Sequence, residues 1–240
     1  MKLLIDAGNT RIKWALVRGA EWWRAGMLET AAPQMLSGDF AGLSEVREIW
    51  VSNVAGEAIA QEIRALKLGP HGAPIFLTAT PVCAGVHNGY TQPAQLGSDR
   101  WAALIAARQM TMRACLVVNA GTATTVDALR ADGTFVGGLI LPGIELMQCS
   151  LTERARLSVA AGCYADFPAN TADALFSGAI QATCGAILRQ YALLAEADAP
   201  ILLSGGAAAL LMPHLQLPCR LVDNLVLRGL EIVAMEATRQ

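Results

Sequence analysis

LLIDAGNTRIKWAL (residues 3–16) and LVVNAGTATTVDAL (residues 116–129) read as two copies of one pattern. Leu3, Ala7, Gly8, Ala15 and Leu16 fall on Leu116, Ala120, Gly121, Ala128 and Leu129, and Asp6 falls on its isostere Asn119. Each copy is an apolar run, a short turn rich in glycine and hydroxyl residues, and a second apolar run, which spells a β-hairpin. Each is followed by a further strand pattern and then by helical spacing. The chain has 240 residues and a mass of 25.3 kDa, which fits one large domain or two small ones. The repeat favours two similar α/β halves, residues 1–113 and 114–240. The competing reading is two unrelated hairpins that share Ala-Gly in a biased composition.

Outward from the first hairpin, the spacing predicts strands at 22–27, 48–52 and 75–77 and helices at 33–42 and 57–68. Gly69 and Pro70 punctuate the second helix. Residues 78–98 carry no formal charge but many turn formers, including Asn88-Gly89 and Gln92-Pro93. This reads as a long loop, and long loops in compact proteins are often functional. It leads into a helix over 101–113. Around the second hairpin, strands are expected at 115–118, 123–129, 134–141 and 201–203, with helices at 142–152, 171–195 and 225–238.

Composition limits the functional classes. The chain is 54% hydrophobic and 16% charged, with a mean hydropathy of +0.40. A spanning helix needs roughly 20 apolar residues in a row, and the best stretch, 201–219, is broken by Gly205, Gly206, Pro213, His214, Gln216 and Pro218. The opening apolar run stops at Asp6, too early for the core of a secretion signal. A cytoplasmic protein without a membrane partner is expected. The net charge of −2 gives no basic footprint for nucleic acid. Lysine occurs only as Lys2, Lys13 and Lys67, which draws attention to Lys13. The cysteines at 83, 115, 149, 163, 184 and 219 form no CxxC pair, so reduced, buried thiols are expected rather than a zinc site. His71, His87 and His214 lie far apart.

Nucleotide chemistry would need an unusual cradle, because the chain has no GxxxxGK[ST], no strand-borne GxGxxG, no GxSxG and no HExxH. The hairpin turns are the candidates. Gly8, Asn9 and Thr10 can aim backbone N–H groups and hydroxyls at phosphate oxygens, and a glycine admits close approach. Asp6 at the strand end suits Mg²⁺, directly or through water. Gly121 and Thr122 offer a second, uncharged turn. In isolation, Asp and Asn in turns are ordinary turn formers. Asp99-Arg100 places a carboxylate beside a guanidinium just before a helix, as a base and an anion anchor, although such a carboxylate is often only a cap. Gly137-Gly138 through Pro142-Gly143 permits close backbone packing or ligand approach. Asn170-Thr171 reads as a helix N-cap or a site element, and Ser204-Gly205-Gly206 as a turn that could face an adenine ring.

Taken in order, these residues resemble the type III pantothenate kinase family of the actin/Hsp70/sugar-kinase superfamily. The resemblance rests on Asp6-x-Gly8-Asn9-Thr10-x-x-Lys13, Gly97-x-Asp99-Arg100, Gly121-Thr122-Ala123-x-Thr125-x-Asp127, Gly137-Gly138-x-Ile140-x-Pro142-Gly143, Asn170-Thr171, Ser204-Gly205-Gly206 and the segment from Asn224 to Gly229. It implies an α/β fold of duplicated RNase H-like (actin-like ATPase) lobes, mixed sheets flanked by helices. It also implies ATP held between the lobes, phosphorylation of pantothenate as the first step of coenzyme A synthesis, and a homodimer. By position, Asp6, Gly8, Asn9, Thr10, Lys13, Gly121 and Thr122 would bind ATP, with Asp6 near the metal. Asp99 would be the catalytic base. Tyr90, Gly97, Ser98, Asp99, Arg100 and Thr171 would line the pantothenate site.

One departure stands out. The family commonly has Asp where this chain has Asn119, at a position tied to a monovalent cation, K⁺ or NH₄⁺. Asn keeps an oxygen ligand and loses the charge, so weak or absent K⁺ dependence is expected. Two other functions remain open at this level: a regulatory accessory factor that keeps the kinase fold, and another small-molecule kinase of the superfamily.

Overall fold

The computed structural model describes residues 1–19, 21–40, 45–66, 72–155 and 161–238. The chain forms two compact units, Met1–Met110 with Asn224–Gln240, and Thr111–Asp223. The first boundary lies between Met110 and Thr111. The second does not exist in the sequence reading: residues from Asn224 onward return to unit 1 instead of completing the second half.

In unit 1 the order is β1 (Lys2–Ala7), β2 (Arg11–Arg18), β3 (Glu21–Glu29), α1 (Met35–Asp39), β4 (Glu48–Asn53), α2 (Glu57–Arg64), β5 (Ile75–Phe76), β6 (Val82–Cys83), β7 (Val86–Asn88) and α3 (Ser98–Met110). The sheet order is β3-β2-β1-β4-β5. β2 pairs antiparallel with β1 and β3, while β4 runs parallel to β1 and β5. Leu3, Leu4 and Ile5 in succession are fully buried, as expected of a central strand covered on both faces. On one face, Trp14 meets Phe40 edge-to-face at 5.0 Å above Leu36, Ile59 and Ile63. A Cβ at Gly26 would lie 2.6 Å from the Trp14 ring, so β3 must offer a glycine there.

Four sequence expectations shift in unit 1. The helix expected at 33–42 is the short α1, with residues 41 and 42 outside the described ones. That at 57–68 ends by Arg64, and residues 67–71, including Lys67, Gly69, Pro70 and His71, lie outside the described residues. Within the expected loop, β6 and β7 form a hairpin whose turn residues Ala84 and Gly85 both have positive φ, 49° and 76°. The following helix begins at Ser98 rather than 101, because the Trp101 N–H already donates to the Gly97 carbonyl at 3.0 Å.

Unit 2 continues with β8 (Cys115–Ala120), β9 (Ala123–Leu129), β10 (Thr134–Pro142), α4 (Ile144–Ala155), α5 (Thr171–Leu194), β11 (Ile201–Ser204), α6 (Ala208–Leu211) and β12 (Cys219–Leu221). The strands follow the order β12-β11-β8-β9-β10. Ile180, Cys184 and Ile187 of α5 cover Leu116, Val118 and Leu203. α6 and β12 carried too few periodic residues to be expected, and Pro142 ends β10 instead of opening a helix.

The two hairpins are not superimposable copies. Across β1–β2, Asp6 pairs with Lys13 and Ala7 with Ile12. Across β8–β9, Asn119 pairs with Thr125 and Ala120 with Thr124. The repeat in sequence would have matched Lys13 to Val126. The second turn is one residue tighter, closed by the Gly121 N–H on the Ala123 carbonyl at 3.0 Å, and this moves every later β9 residue to the other face.

The chain closes with α7 (Leu225–Ala237), which lies on α3. A Cβ at Gly229 would overlap the Ala102 backbone carbonyl, so the C-terminal segment of the family-like pattern is a helix-packing element. The Lys2 ammonium holds the far end of α7, donating to the Ala234 carbonyl and the Thr238 hydroxyl, each at 2.7 Å. A cation at a helix C-terminus also opposes the negative end of the helix dipole.

Candidate active site

The polar centre of unit 1 is a row across one face of its sheet. Met27, Lys13, Asp6 and Ser52 are successive register partners on β3, β2, β1 and β4, so their side chains share a face. The Asp6 carboxyl is pushed up to about 7, first by burial and then by the Asp99 carboxylate, with Lys13 acting in the opposite direction. The Asp6 carboxyl therefore senses both Lys13 and Asp99. Two neighbouring acidic groups and a lysine at a strand end form an unneutralised site that favours a cation.

The turn after Asp6 is fixed by backbone hydrogen bonds. The Gly8 N–H donates to the Arg11 carbonyl at 3.1 Å, and the Thr30 N–H donates to the Thr10 carbonyl at 3.0 Å. The Thr30 hydroxyl donates to the Gly8 carbonyl at 2.6 Å. Asn9 and Thr10 are left at the exposed tip. Thr30 had no signal in the sequence, because it lies beyond the strand and outside every motif.

The N-terminus of α3 supplies the other candidates. Asp99 sits in its first turn, where a negative charge meets the positive end of the helix dipole. Its Oδ1 accepts from the Arg100 N–H at 2.8 Å and lies 2.6 Å from where a Cβ on Gly97 would be. Asp99 is thus not a cap ahead of the helix but a residue of the helix, folded back over a glycine. Arg100 is 6% exposed; its Nη1 donates to the Tyr90 hydroxyl at 2.8 Å and its guanidinium carbon stands 5.6 Å from the Tyr90 ring centre. Tyr90 is held by its own N–H on the Asn88 side-chain oxygen at 3.0 Å, and Asn88 donates to the Pro93 carbonyl at 3.2 Å. Ser98, also buried, meets the Ser52 hydroxyl at 3.0 Å. Asn88 and Ser52 escaped the sequence reading.

In unit 2, the turn at Gly121 and Thr122 is approached by two glycines distant in sequence. A Cβ on Gly143 would overlap the Gly121 and Thr122 carbonyls, and one on Gly205 would overlap Ala120. The Gly143 N–H donates to the Thr122 carbonyl at 2.9 Å, and the Ala207 N–H to the Ala120 carbonyl at 3.0 Å. Three motifs that are weak singly thus converge on one turn. Gly205 has φ +96°, where glycine is strongly favoured. Gly138 presses on the buried Asp127 side chain, so that glycine serves packing. Asn119 lies in register with Thr125 and Ser204, a row of neutral oxygens. Asn170 caps α5, its side chain accepting from the Asp173 N–H at 3.0 Å, while Thr171 is exposed at the first helical position. All six cysteines are free, but of the thiols expected to be buried only Cys115 and Cys184 are; Cys83 and Cys219 are half-buried, and Cys149 and Cys163 are exposed.

The donor set suits a hard cation that takes most of its ligands from water and phosphate. Among the described residues no group of three or more His, Cys, Asp or Glu side chains could hold a metal, so a cation here would have Asp6 as its protein ligand and fill its shell from water and phosphate. Mg²⁺ carried with a polyphosphate fits this description. No described helix is long and apolar enough to cross a membrane.

Two mixed sheets flanked by helices, each with a strand–turn–strand element at its centre, define an actin-like fold. A Sinorhizobium meliloti protein described as a 2-dehydro-3-deoxygalactonokinase matches it with a TM-score of 0.65 at 16% identity, covering 99% of each chain. MreB5 of Spiroplasma citri bound to ADP matches with a TM-score of 0.54 at 11% identity, covering 99% of this chain and 97% of that one. The family model for type III pantothenate kinase matches residues 2–193. The type III pantothenate kinase of Aromatoleum aromaticum is 50% identical over 238 residues, spanning 98% of both chains. The chain belongs to the type III pantothenate kinase family.

Proposed function

We propose that the chain transfers the γ-phosphoryl group of ATP to the primary hydroxyl of pantothenate, giving 4'-phosphopantothenate and ADP as the first step of coenzyme A synthesis. Family membership carries the choice of substrates. The observation that supports the chemistry is the tie between the start of α3 and the sheet: Ser98, directly before Asp99, bonds to Ser52, the β4 register partner of Asp6, which itself stands across β1–β2 from Lys13. The pantothenate hydroxyl gives its proton to the Asp99 carboxylate as its oxygen bonds to the γ-phosphorus. The bond from that phosphorus to the β–γ bridging oxygen breaks, and ADP leaves. Such transfer depends on in-line positioning and charge stabilisation more than on covalent chemistry.

Asn9, Thr10 and Lys13, with Gly121 and Thr122, are the groups suited to the ATP phosphates. Asp6 would hold Mg²⁺, which when bound neutralises phosphate charge. Arg100, set by Tyr90, is the anion anchor suited to the pantothenate carboxylate, with Gly97, Ser98 and Thr171 as further lining. Asn119 occupies the monovalent-cation position without its charge. A cytoplasmic homodimer fits the family.

The test is a coupled ADP-release assay with ATP and pantothenate against a panel of other small alcohols. Pantothenate-dependent turnover is expected, and Asp99→Asn should lower kcat by about 10²–10⁴-fold while ATP binding survives. ADP release that ignores pantothenate would overturn the reading.

A further inference from the structure

Ser52 belongs to no phosphate or alcohol motif, yet it is fully buried at 0% exposure near the end of β4, directly after the buried Trp50 and Val51. Its partner on β1 is Asp6. Its hydroxyl bonds to that of Ser98 at 3.0 Å, and Ser98 is the first residue of α3, directly before Asp99. A buried hydroxyl without a partner is costly, so the two serines bind the strand beside Asp6 to the helix end that bears Asp99.

That link has a specific task. Asp6 and Asp99 are both acids, and two like-charged groups set no spacing of their own. α7 presses on α3 through Gly229 against Ala102, a contact one turn along the helix that resists approach but does not direct the helix end. The Ser52–Ser98 bond is directional and lies at that end. We propose that Ser52 is a positioning residue, which through Ser98 fixes the separation between the group that holds the phosphate side of the reaction, Asp6, and the group that takes the proton, Asp99. The proposal rests on the kinase reading above. In-line transfer demands reacting atoms about 3–3.5 Å apart, and a misplacement of about 1 Å can cost about 10²-fold.

The experiment measures kcat and both KM values for wild type, Ser52→Ala, Ser52→Thr, Ser98→Ala and the double alanine variant, well below each Tm. Ser52→Ala is expected to lose about 10- to 100-fold in kcat, with KM for ATP within about threefold of wild type. Ser52→Thr, which keeps the hydroxyl, should recover most of the loss. The double variant should be about as slow as the slower single, since residues acting as one unit are not additive. If Ser52→Ala fails to fold, Ser98→Ala at the helix end carries the comparison, and it should show the same fall in kcat with KM for ATP retained. An active wild type beside an equally active Ser52→Ala, or losses that add in the double variant, overturns the positioning role alone. A wild type without pantothenate-dependent turnover overturns the kinase reading and this proposal with it.

Discussion

Asp6 stands directly across the β1–β2 ladder from Lys13, yet its carboxyl titrates near neutrality, at about 7, because burial and Asp99 outweigh the lysine. The ordinary value for the unfolded chain is 3.8. The folded protein therefore holds this proton more tightly than the unfolded one. The resulting stabilisation is fully present below pH 3.8 and is lost as the pH rises through about 7. Asp6→Asn cannot ionise and should gain thermal stability over ligand-free wild type as the pH is raised from about 5 to about 8. Scanning calorimetry across that range reads it; a Tm difference that does not change with pH would exclude Asp6 as the source. The same variant should lose phosphoryl transfer.

Gly97 has no room for a side chain without moving Asp99, whose Oδ1 lies 2.6 Å from a Cβ built there. The carboxylate can swing aside, so the fold should tolerate Gly97→Ala with little change in Tm. Turnover should fall by roughly 10-fold or more if Asp99 is the proton acceptor proposed above, because it is then displaced. A kcat equal to wild type would show that the seat of Asp99 over Gly97 is not the working position.

The Tyr90 hydroxyl accepts a 2.8 Å bond from a guanidinium that is almost wholly buried. Hydrogen bonds to charged groups contribute about 1.5–3 kcal/mol. Tyr90→Phe should raise KM for pantothenate by about 10-fold with a smaller effect on KM for ATP. Arg100→Lys, which loses the planar fork, should be worse. Equal rises in both KM values would move Arg100 out of the pantothenate site.

Asn119 with Thr125 and Ser204 forms a row of neutral oxygens at the position proposed above for a monovalent cation. Replacing Na⁺ by K⁺ or NH₄⁺ should change activity less than about twofold, while Asn119→Asp should introduce a dependence. Steep activation of the wild type by K⁺ would show that neutral ligands suffice.

Gly229 meets the Ala102 carbonyl where α7 crosses α3. Gly229→Ala must separate the helices, and overpacking of this kind costs about 1–3 kcal/mol. At roughly 2–4 °C per kcal/mol for a chain of this size, Tm should drop by several degrees. A Tm unchanged from wild type would mean that the crossing relaxes freely.

Much of this was legible because strands and turns announce themselves locally. The β1–β2 and β8–β9 hairpins follow from apolar runs around glycine turns, and Asp6, Lys13, Asp99 and Arg100 from their rarity and order. Register was not legible: one residue fewer in the second turn sets Asn119 opposite Thr125 instead of Val126, and spacing in sequence does not report turn geometry. The start of α3 was missed because Gly97 and Ser98 look like turn formers, while the bond between Ser52 and Ser98 that anchors them is non-local. Periodicity identified α7 as a helix but could not say which core it joins. Thr30 and Asn88 act through a few hydrogen bonds each, which leave no pattern in the sequence.

Along the chain, all of unit 2 separates α3 from α7, although both pack within unit 1. On the ribosome, the helix carrying Asp99 and Arg100 is complete long before its cover exists. Unit 2 is contiguous and can finish folding first, while unit 1 waits for residues made after it. Domains that emerge as continuous segments fold in order of synthesis; here that order is reversed. The exposed back of α3, with its buried alanines, is the surface a chaperone would meet in the interval.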